Sequence, residues 1–103
     1  MKYKIERTAK ADEQLRDIIL YRAGLRGSVD AALEYLDKIE REINQLASFP
    51  EIGAPPRYAA LRARGFRVLI IEKLLVFYKV NKETKTVMIY AIVDGRQDYL
   101  NLI

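Results

Sequence analysis

The stretch that most limits what this chain can fold into is the apolar segment of residues 64–80. Two runs rich in Val, Ile, Leu, Phe and Tyr flank a polar pair, Glu72 and Lys73. Residues of these types favour strands, and a short polar interruption between two such runs is typical of a hairpin turn. Periodicity alone also allows two short buried helices, but the β-branched and aromatic content and the flanking turns favour a β-hairpin.

Both runs of this hairpin are apolar at nearly every position, not only at alternate positions. Such strands are typical of a sheet that is covered on both faces. One layer of helices covers one face only, so we expect the chain to leave apolar groups of the other face open. A partner macromolecule would cover them, and self-association through the same surface is the alternative.

The composition excludes several classes of protein and site. The 103 residues are enough for one domain, spanning residues 1–103, with a real core. The chain has no cysteine and no histidine, so thiol chemistry is excluded and zinc would need carboxylates alone. We therefore expect no metal and no cofactor. No apolar run reaches about 18 residues, which excludes a membrane span, and the start lacks the features of a signal peptide, which favours the cytoplasm.

The positive charge of the chain is concentrated in its second half. Residues 1–50 carry nine basic and nine acidic side chains, whereas residues 51–103 carry nine basic and five acidic ones, and the net charge is +4. A basic half favours polyanions or an acidic protein partner. A solvated surface that is merely basic is the alternative for a charge of this size.

The first half of the chain predicts a strand and a helical hairpin. Residues 2–7 alternate apolar and polar side chains, as in a half-buried strand. Thr8 is placed to cap a helix over residues 9–25, and Ser28 to cap a second helix over residues 29–48. The predicted apolar positions of the first helix are Leu15, Ile18, Ile19, Arg22 and Leu25, and those of the second are Ala32, Leu36, Ile39, Ile43 and Leu46.

The second half predicts a connector, three strands and a tail. Residues 51–64 contain glycine and prolines and predict an irregular connector held to the core by Tyr58 and Leu61. After the hairpin, residues 86–93 predict a further strand. Its two faces are expected to carry Val87, Ile89, Ala91 and Val93 on one side and Met88, Tyr90 and Ile92 on the other. The tail is expected to dock through Tyr99, Leu100 and Leu102.

This order of elements, β-α-α-β-β-β, predicts an α+β domain. We expect an antiparallel helical hairpin packed on one face of a mainly antiparallel sheet, whose last three strands form a meander.

Four segments and this element order together resemble the RelE/ParE superfamily, the toxins of type II toxin–antitoxin modules. The resemblance covers the whole chain. The segments are Phe49 and Pro50 with Gly53, residues 64–67, residues 76–80 and residues 95–99. The resemblance implies a toxin, a cognate antitoxin and, in some relatives, higher-order toxin–antitoxin complexes. RelE-like members cut messenger RNA on the ribosome, and ParE-like members poison DNA gyrase without cutting RNA.

The resemblance also implies which residues carry function. Arg67 matches a functional lysine of RelE-like enzymes, and Arg96 matches a phosphate-binding arginine. Tyr99 falls where some relatives place a tyrosine near the scissile bond. If the chain is a nuclease, these three are its catalytic candidates, without a metal. Arg64 and Lys73 join Arg67 and Arg96 as candidates for binding nucleic acid or another target.

Two departures favour a ParE-like inhibitor over a nuclease. Leu75 stands where the nucleases usually carry an arginine, and Asp98 where one subgroup has its catalytic histidine. The spacing between residues 65–67 and 77–79 is also closer to ParE. Purely structural roles remain open: Tyr99 as a packed anchor, and Arg67 as an ion-pair partner of Glu72 or Asp98.

The same features predict how an antitoxin binds. An acidic, amphipathic segment would add a strand or a helix to the domain and cover Arg67 and Arg96, or brace the helical hairpin. A degenerate, non-toxic member that acts only as a binding partner is a further alternative.

Overall fold

The computed structural model describes residues 2–97 and 99–103, apart from the side chains of Leu25 and Arg26. Its elements are β1 (Lys4–Arg7), α1 (Ala9–Arg26), α2 (Val29–Asn44), a 3-10 turn (Gln45–Ala47), α3 (Ala59–Ala63), β2 (Arg67–Ile71), β3 (Leu74–Asn81), β4 (Thr86–Asp94) and a second 3-10 turn (Leu100–Leu102). The predicted α+β order is confirmed, with one addition. Residues 51–64, expected to be irregular, contain α3, because alanine and leucine there favour a helical turn.

Local hydrogen bonds set the ends of the helical hairpin as the sequence predicts. The Thr8 hydroxyl accepts a hydrogen bond from the backbone N–H of Ala11 at 3.1 Å, and the Ser28 hydroxyl accepts one from Ala31 at 3.2 Å. Gly27 ends α1 with φ 63°, a conformation that glycine adopts without strain. The chain therefore reverses between the helices within two residues.

The apolar sides of both helices pack against the sheet. Ala11 and Leu15 of α1 are buried there, and Ile39 and Ile43 of α2 lie beside them. Leu36 is half-buried, so the predicted apolar stripe of α2 is confirmed. The side chain of Leu25, which was predicted on the apolar stripe of α1, is outside the part of the structure that is described.

The sheet has the strand order β1-β4-β3-β2. β2, β3 and β4 form the predicted antiparallel meander, and β1 pairs with β4 in parallel. The parallel pair requires a crossover, which the helical hairpin supplies. In the turn between β2 and β3, Ile71 pairs with Leu74 and Glu72 has φ 55°.

A β-bulge in β4 overturns the predicted alternation of this strand. Phe77 pairs with Ala91, but the next residue of β3, Tyr78, pairs with Ile89, so Tyr90 is an extra residue. From this point every side chain of β4 changes face, because a bulge adds one residue to a pattern of period two. Ala91 and Val93 therefore lie with Tyr90, and Ile92 lies with Val87 and Ile89 on the helical side.

The expectation of an open apolar sheet face is wrong, because the chain covers its second face itself. A second core forms there from Val68, Phe77, Ala91 and Val93 of the sheet with Leu61, Phe66 and Tyr99. Tyr58 packs against the same core, so the predicted anchoring of the connector by Tyr58 and Leu61 is confirmed. Burying large apolar side chains away from water is favourable, and residues of the connector and the tail provide that cover here.

The tail docks through one residue of the three that were predicted. Tyr99 is buried, whereas Leu100 and Leu102 are 43% and 39% exposed. Along the edge of the sheet, the backbone of Val68 exchanges two hydrogen bonds with Ala54. Ile70, further along the same strand, is 61% exposed. In the part of the chain that is described, no helix is both long and apolar enough to cross a bilayer.

Candidate functional site

Two of the residues predicted to bind a target, Lys73 and Arg96, lie at the same cleft. β4 ends at Asp94, and the N–H of Gly95 donates to the carbonyl of Lys73 at 2.8 Å. This bond holds the segment after β4 against the turn between β2 and β3. Gly95 suits this contact, because a Cβ there would lie 3.2 Å from the same carbonyl oxygen.

The cleft, here called the hairpin cleft, opens between the helical hairpin and the turn and has a volume of about 900 Å³. Its lining combines apolar side chains with side chains of both charges. Representative lining residues are Ile18, Tyr21, Leu74, Ile92, Lys73 and Arg96. A surface of this kind suits a protein segment with an apolar anchor and charges of its own.

Arg96 is engaged by a carboxylate within the cleft. Its Nε and Nη2 atoms donate to the two carboxylate oxygens of Asp94 at 3.0 and 2.6 Å. The side-chain hydrogen bonds from Arg96, and then its backbone N–H, lower the pKa of Asp94 to about 2. Asp94 is therefore an anion at neutral pH and holds the arginine fork in one orientation.

The helical wall of the cleft carries a second ordered cation. The Cζ atom of Arg22 lies 3.7 Å from the centre of the Tyr35 ring, which is the geometry of a cation–π contact. Burial raises the pKa of the Tyr35 hydroxyl, although Arg22 acts in the opposite direction. Tyr35 is thus neutral at pH 7. Tyr21, one turn before the end of α1, is 70% exposed at the rim.

Sequence reasoning missed Tyr21, Arg22 and Tyr35 as residues of a site. Arg22 does fall on the predicted apolar stripe of the first helix, and a cation on such a stripe is the signal that could have revealed it. Gln14 was missed as well: its Oε1 accepts from the N–H of Ile92 at 2.9 Å, and its Nε2 donates to the carbonyl of Leu102 at 3.1 Å. It links α1 to β4 and the tail.

Arg67 lies outside the hairpin cleft and binds the connector. Its Nη1 donates to the carbonyl of Gly53 at 2.8 Å and to that of Glu51 at 3.2 Å, and its Nη2 lies 3.4 Å from the Glu51 carboxylate. The suggested ion pair with Glu72 is wrong, since Glu72 pairs with Lys38 at 3.1 Å. The alternative partner, Asp98, lies outside the described residues.

The structure does not bring Arg67 and Arg96 together. Arg67 pairs with Tyr78 in the sheet, and Asp94 pairs with Leu74. Leu74 and Tyr78 are four positions apart on β3, which is about 13 Å along the strand. The guanidinium groups of Arg67 and Arg96 are bound to different carboxylates, those of Glu51 and Asp94, so the two arginines do not form one site here.

Tyr99 and Arg64 lie on the second face of the sheet. Tyr99 is 8% exposed and packs against Phe77 and Tyr58, with ring centres 5.5 and 5.7 Å apart. Arg64 is exposed and lies over Phe66, with its Cζ 5.3 Å from the ring centre. Within residues 2–97 and 99–103, no cluster of three or more acidic side chains is arranged to hold a metal ion.

Comparison with solved structures identifies the class of fold. The chain is similar to one in the chromosomal ParDE TA system from P. aeruginosa, with a TM-score of 0.74 and 22% identity over 90% of this chain and 96% of that chain. It is also similar to a chain in the toxin-antitoxin complex RelBE2 from Mycobacterium tuberculosis, with a TM-score of 0.63 and 17% identity over 91% and 99% of the two chains. At these identities the likeness shows the fold alone.

The family follows from the sequence of the whole domain. A family model described as the ParE toxin of the type II toxin-antitoxin system, parDE, matches residues 5–99. The chain therefore belongs to the ParE toxin family. Membership of the RelE/ParE superfamily, on its ParE side, is confirmed. Among curated proteins there is no match.

Proposed function

We propose that this toxin inhibits growth by binding a macromolecular target, DNA gyrase, and not by cutting RNA. The observation that supports a binding function is the separation of the three nuclease candidates. Arg67 is bound to the connector, Arg96 to Asp94, and Tyr99 is packed in the second core. RNA cleavage needs a base and an acid on either side of one phosphate, and these three side chains offer no such pair.

The hairpin cleft is the surface we assign to the target. It offers an exposed tyrosine, Tyr21, above an apolar floor, with Lys73 and Arg96 at the rim. Aromatic and arginine side chains in such settings supply most of the binding energy of protein interfaces. Arg96 is oriented by Asp94 before binding, which reduces the entropy that binding costs.

A supercoiling assay with purified gyrase tests this assignment. The wild-type toxin is expected to inhibit supercoiling, and Tyr21→Ala to weaken inhibition at least ten-fold, as expected for an interface anchor. Phe49→Ala is the matched control, because Phe49 is an exposed aromatic outside the cleft, at 63% exposure against 70% for Tyr21. Undiminished supercoiling without a trapped cleavage complex would refute gyrase as the target.

The alternative is a ribosome-dependent endoribonuclease. One feature favours it: exposed Arg64 lies on the sheet face that also carries Tyr99. Toxin added to programmed ribosomes distinguishes the two functions. Cuts in the translated message, absent from naked RNA, would overturn the gyrase proposal, and an intact message would support it.

We also propose a cognate antitoxin, as in the ParDE and RelBE2 systems named above. An acidic amphipathic segment fits the hairpin cleft with its Lys73 and Arg96, or the exposed apolar side chains Leu20 and Leu33 of the helical hairpin. Expression of the toxin alone in the cytoplasm is expected to stop cell growth, and co-expression of the antitoxin is expected to restore it. Normal growth without the antitoxin would instead identify a non-toxic binding partner.

A further inference from the structure

One segment of the chain carries positive charge without any acidic residue. Residues 52–71 contain four arginines, at positions 57, 62, 64 and 67, and neither Asp nor Glu. Arg67 is paired with Glu51, which lies just before this segment. The other three arginines belong to the connector and α3, on the second face of the sheet.

Contacts group these three arginines and a lysine into two pairs, which α3 links in the chain. Nη1 of Arg62 donates to the carbonyl of Arg57 at 2.7 Å. Arg64 follows directly after α3, and its Cζ lies 5.3 Å from the centre of the Phe66 ring. Nζ of Lys79, on β3, lies 4.6 Å from the same ring centre. We call Arg57, Arg62, Arg64 and Lys79 the α3 surface.

The charge of the α3 surface is not compensated in the part of the chain that is described. There, none of its four cations has a carboxylate within ion-pair distance. Elsewhere several cations are paired, including Arg7, Lys38 and Arg96. Within residues 2–97 and 99–103, the partners of the Arg62 guanidinium are neutral carbonyl groups, those of Pro56 and Arg57. Four such cations, on the connector, on and just after α3, and on the strand beside it, produce a local potential that attracts anions.

We propose that the α3 surface binds the phosphate backbone of duplex DNA. An acidic protein segment would need exposed apolar anchors, but the apolar side chains under this surface, Leu61 and Phe66, are each only 4% exposed. A single strand would need an exposed aromatic ring for its bases to stack on, and the Phe66 ring is buried beneath two cations. A duplex needs cations alone, and its binding is then independent of base sequence.

This contact goes beyond the proposed inhibition of gyrase and does not depend on it. Gyrase acts on duplex DNA, so a toxin that holds gyrase through the hairpin cleft could also contact the DNA through the α3 surface. DNA binding by the toxin alone is measurable without gyrase. Failure of one proposal therefore leaves the other to be tested separately.

Binding through four phosphate contacts has a measurable signature. Each neutralised phosphate releases counterions, so the logarithm of the binding constant should fall with the logarithm of salt concentration with a slope of about −3.6. The dissociation constant should lie in the range of about 1–100 µM expected for non-specific binding. A labelled duplex of about 20 base pairs is about 7 nm long. Fluorescence anisotropy of this duplex, titrated with toxin at several salt concentrations, gives both quantities.

The decisive variant is the double substitution Arg64→Gln with Lys79→Gln. It removes two charges that make no hydrogen bond to the described part of the fold. The magnitude of the slope should therefore decrease by about two, and the affinity at low salt should decrease at least ten-fold. The matched control is Arg16→Gln with Arg41→Gln, which removes the same charge from exposed positions on the helical hairpin. Circular dichroism verifies that both double variants are folded.

The proposal holds if the control keeps the wild-type slope and affinity while the α3 variant loses both. An equal loss in the two variants would overturn it in favour of attraction by net charge. Absence of duplex binding at low salt would also overturn it. Two further results would overturn it, if they depended on Arg64 and Lys79 in the same way. One is tighter binding of single-stranded RNA than of the duplex, and the other is binding of a labelled polyglutamate peptide in place of the duplex.

Discussion

At the scale of single residues, Gly53 shows how closely the connector approaches the sheet. Its N–H donates to the hydroxyl of buried Tyr78 at 2.9 Å. A Cβ at this position would lie 2.5 Å from that hydroxyl and 2.8 Å from the carbonyl oxygen of Val68. Only glycine fits here, because a Cβ would overlap both the Tyr78 side chain and the backbone of Val68.

We predict that Gly53→Ala lowers the free energy of unfolding by about 2–3 kcal/mol, because the added methyl group pushes the connector from the sheet. Gly24→Ala is the matched control: its Cβ would meet nothing within 4 Å, and in the last turn of α1 alanine should stabilise by at most about 1 kcal/mol. Urea unfolding measures both changes. Equal effects of the two substitutions would contradict this account.

A second prediction at this scale concerns the pair of Asp94 and Arg96. The folded-state pKa of Asp94 is lowered to about 2, below its ordinary value of 3.8. The pair therefore contributes stability above about pH 4, and this contribution is lost as the pH falls from 4 to 2. In Arg96→Gln, the pKa of Asp94 should rise toward 3.8, which an NMR titration of the carboxyl group measures.

The corresponding control is Arg41→Gln, which removes an arginine from an ion pair with Asp37 in which both side chains are 71% exposed. This substitution should leave the pKa of Asp94 unchanged. An unaltered pKa of Asp94 in Arg96→Gln would show that Arg96 does not hold the carboxylate in solution.

At the scale of elements, the two helices depend on their caps to different extents. Ser28 caps α2 through one hydrogen bond to Ala31. Thr8 caps α1, and its hydroxyl also donates to the carbonyl of Tyr90 at 3.3 Å. The backbone N–H of Thr8 donates to the carbonyl of Ile89 at 3.0 Å. Thr8 therefore joins α1 to β4, whereas the contact of Ser28 lies within the helical hairpin.

We predict that Ser28→Ala lowers the free energy of unfolding by about 1 kcal/mol, because an N–H at the start of α2 loses its partner. Ser28→Asp keeps an acceptor and should be nearly neutral, and it serves as the control. Thermal or urea unfolding monitors both variants. A Ser28→Asp variant as unstable as Ser28→Ala would show that the side-chain acceptor is not the source of the loss.

At the scale of the whole molecule, the domain has two cores, one on each face of the sheet. The helices cover the first, and α3, Phe66 and Tyr99 cover the second. The second core holds the tail beside the sheet, so it also helps to position the α3 surface. Its stability depends on contacts between residues far apart in sequence, such as Tyr58 with Tyr99.

We predict that Tyr99→Ala lowers the free energy of unfolding by about 2–4 kcal/mol, because it leaves a cavity beside Phe77. Leu100→Ala, at the next position and 43% exposed, is the control and should change the free energy by less than about 1 kcal/mol. Chemical denaturation compares the two. Similar losses would mean that the tail does not seal the second core.

The sequence by itself determined the elements whose signals are local. The caps at Thr8 and Ser28 act on residues three positions away, the stripe of α2 is a matter of period, and the turn at Glu72 lies between two apolar runs. The order of these elements also gave the fold class and the family. Such signals can be read from neighbouring residues, since each depends on residues that lie only a few positions apart in the sequence.

Only the tertiary structure decided how the second face is closed and where the arginines go. The bulge at Tyr90 moved Ala91 and Val93 to that face, and Arg67 bound Glu51, 16 residues away, instead of Glu72. These outcomes depend on which distant segments meet. Several partners compete for one apolar face or one guanidinium group, and packing of the whole chain selects among them because their local energies are nearly equal.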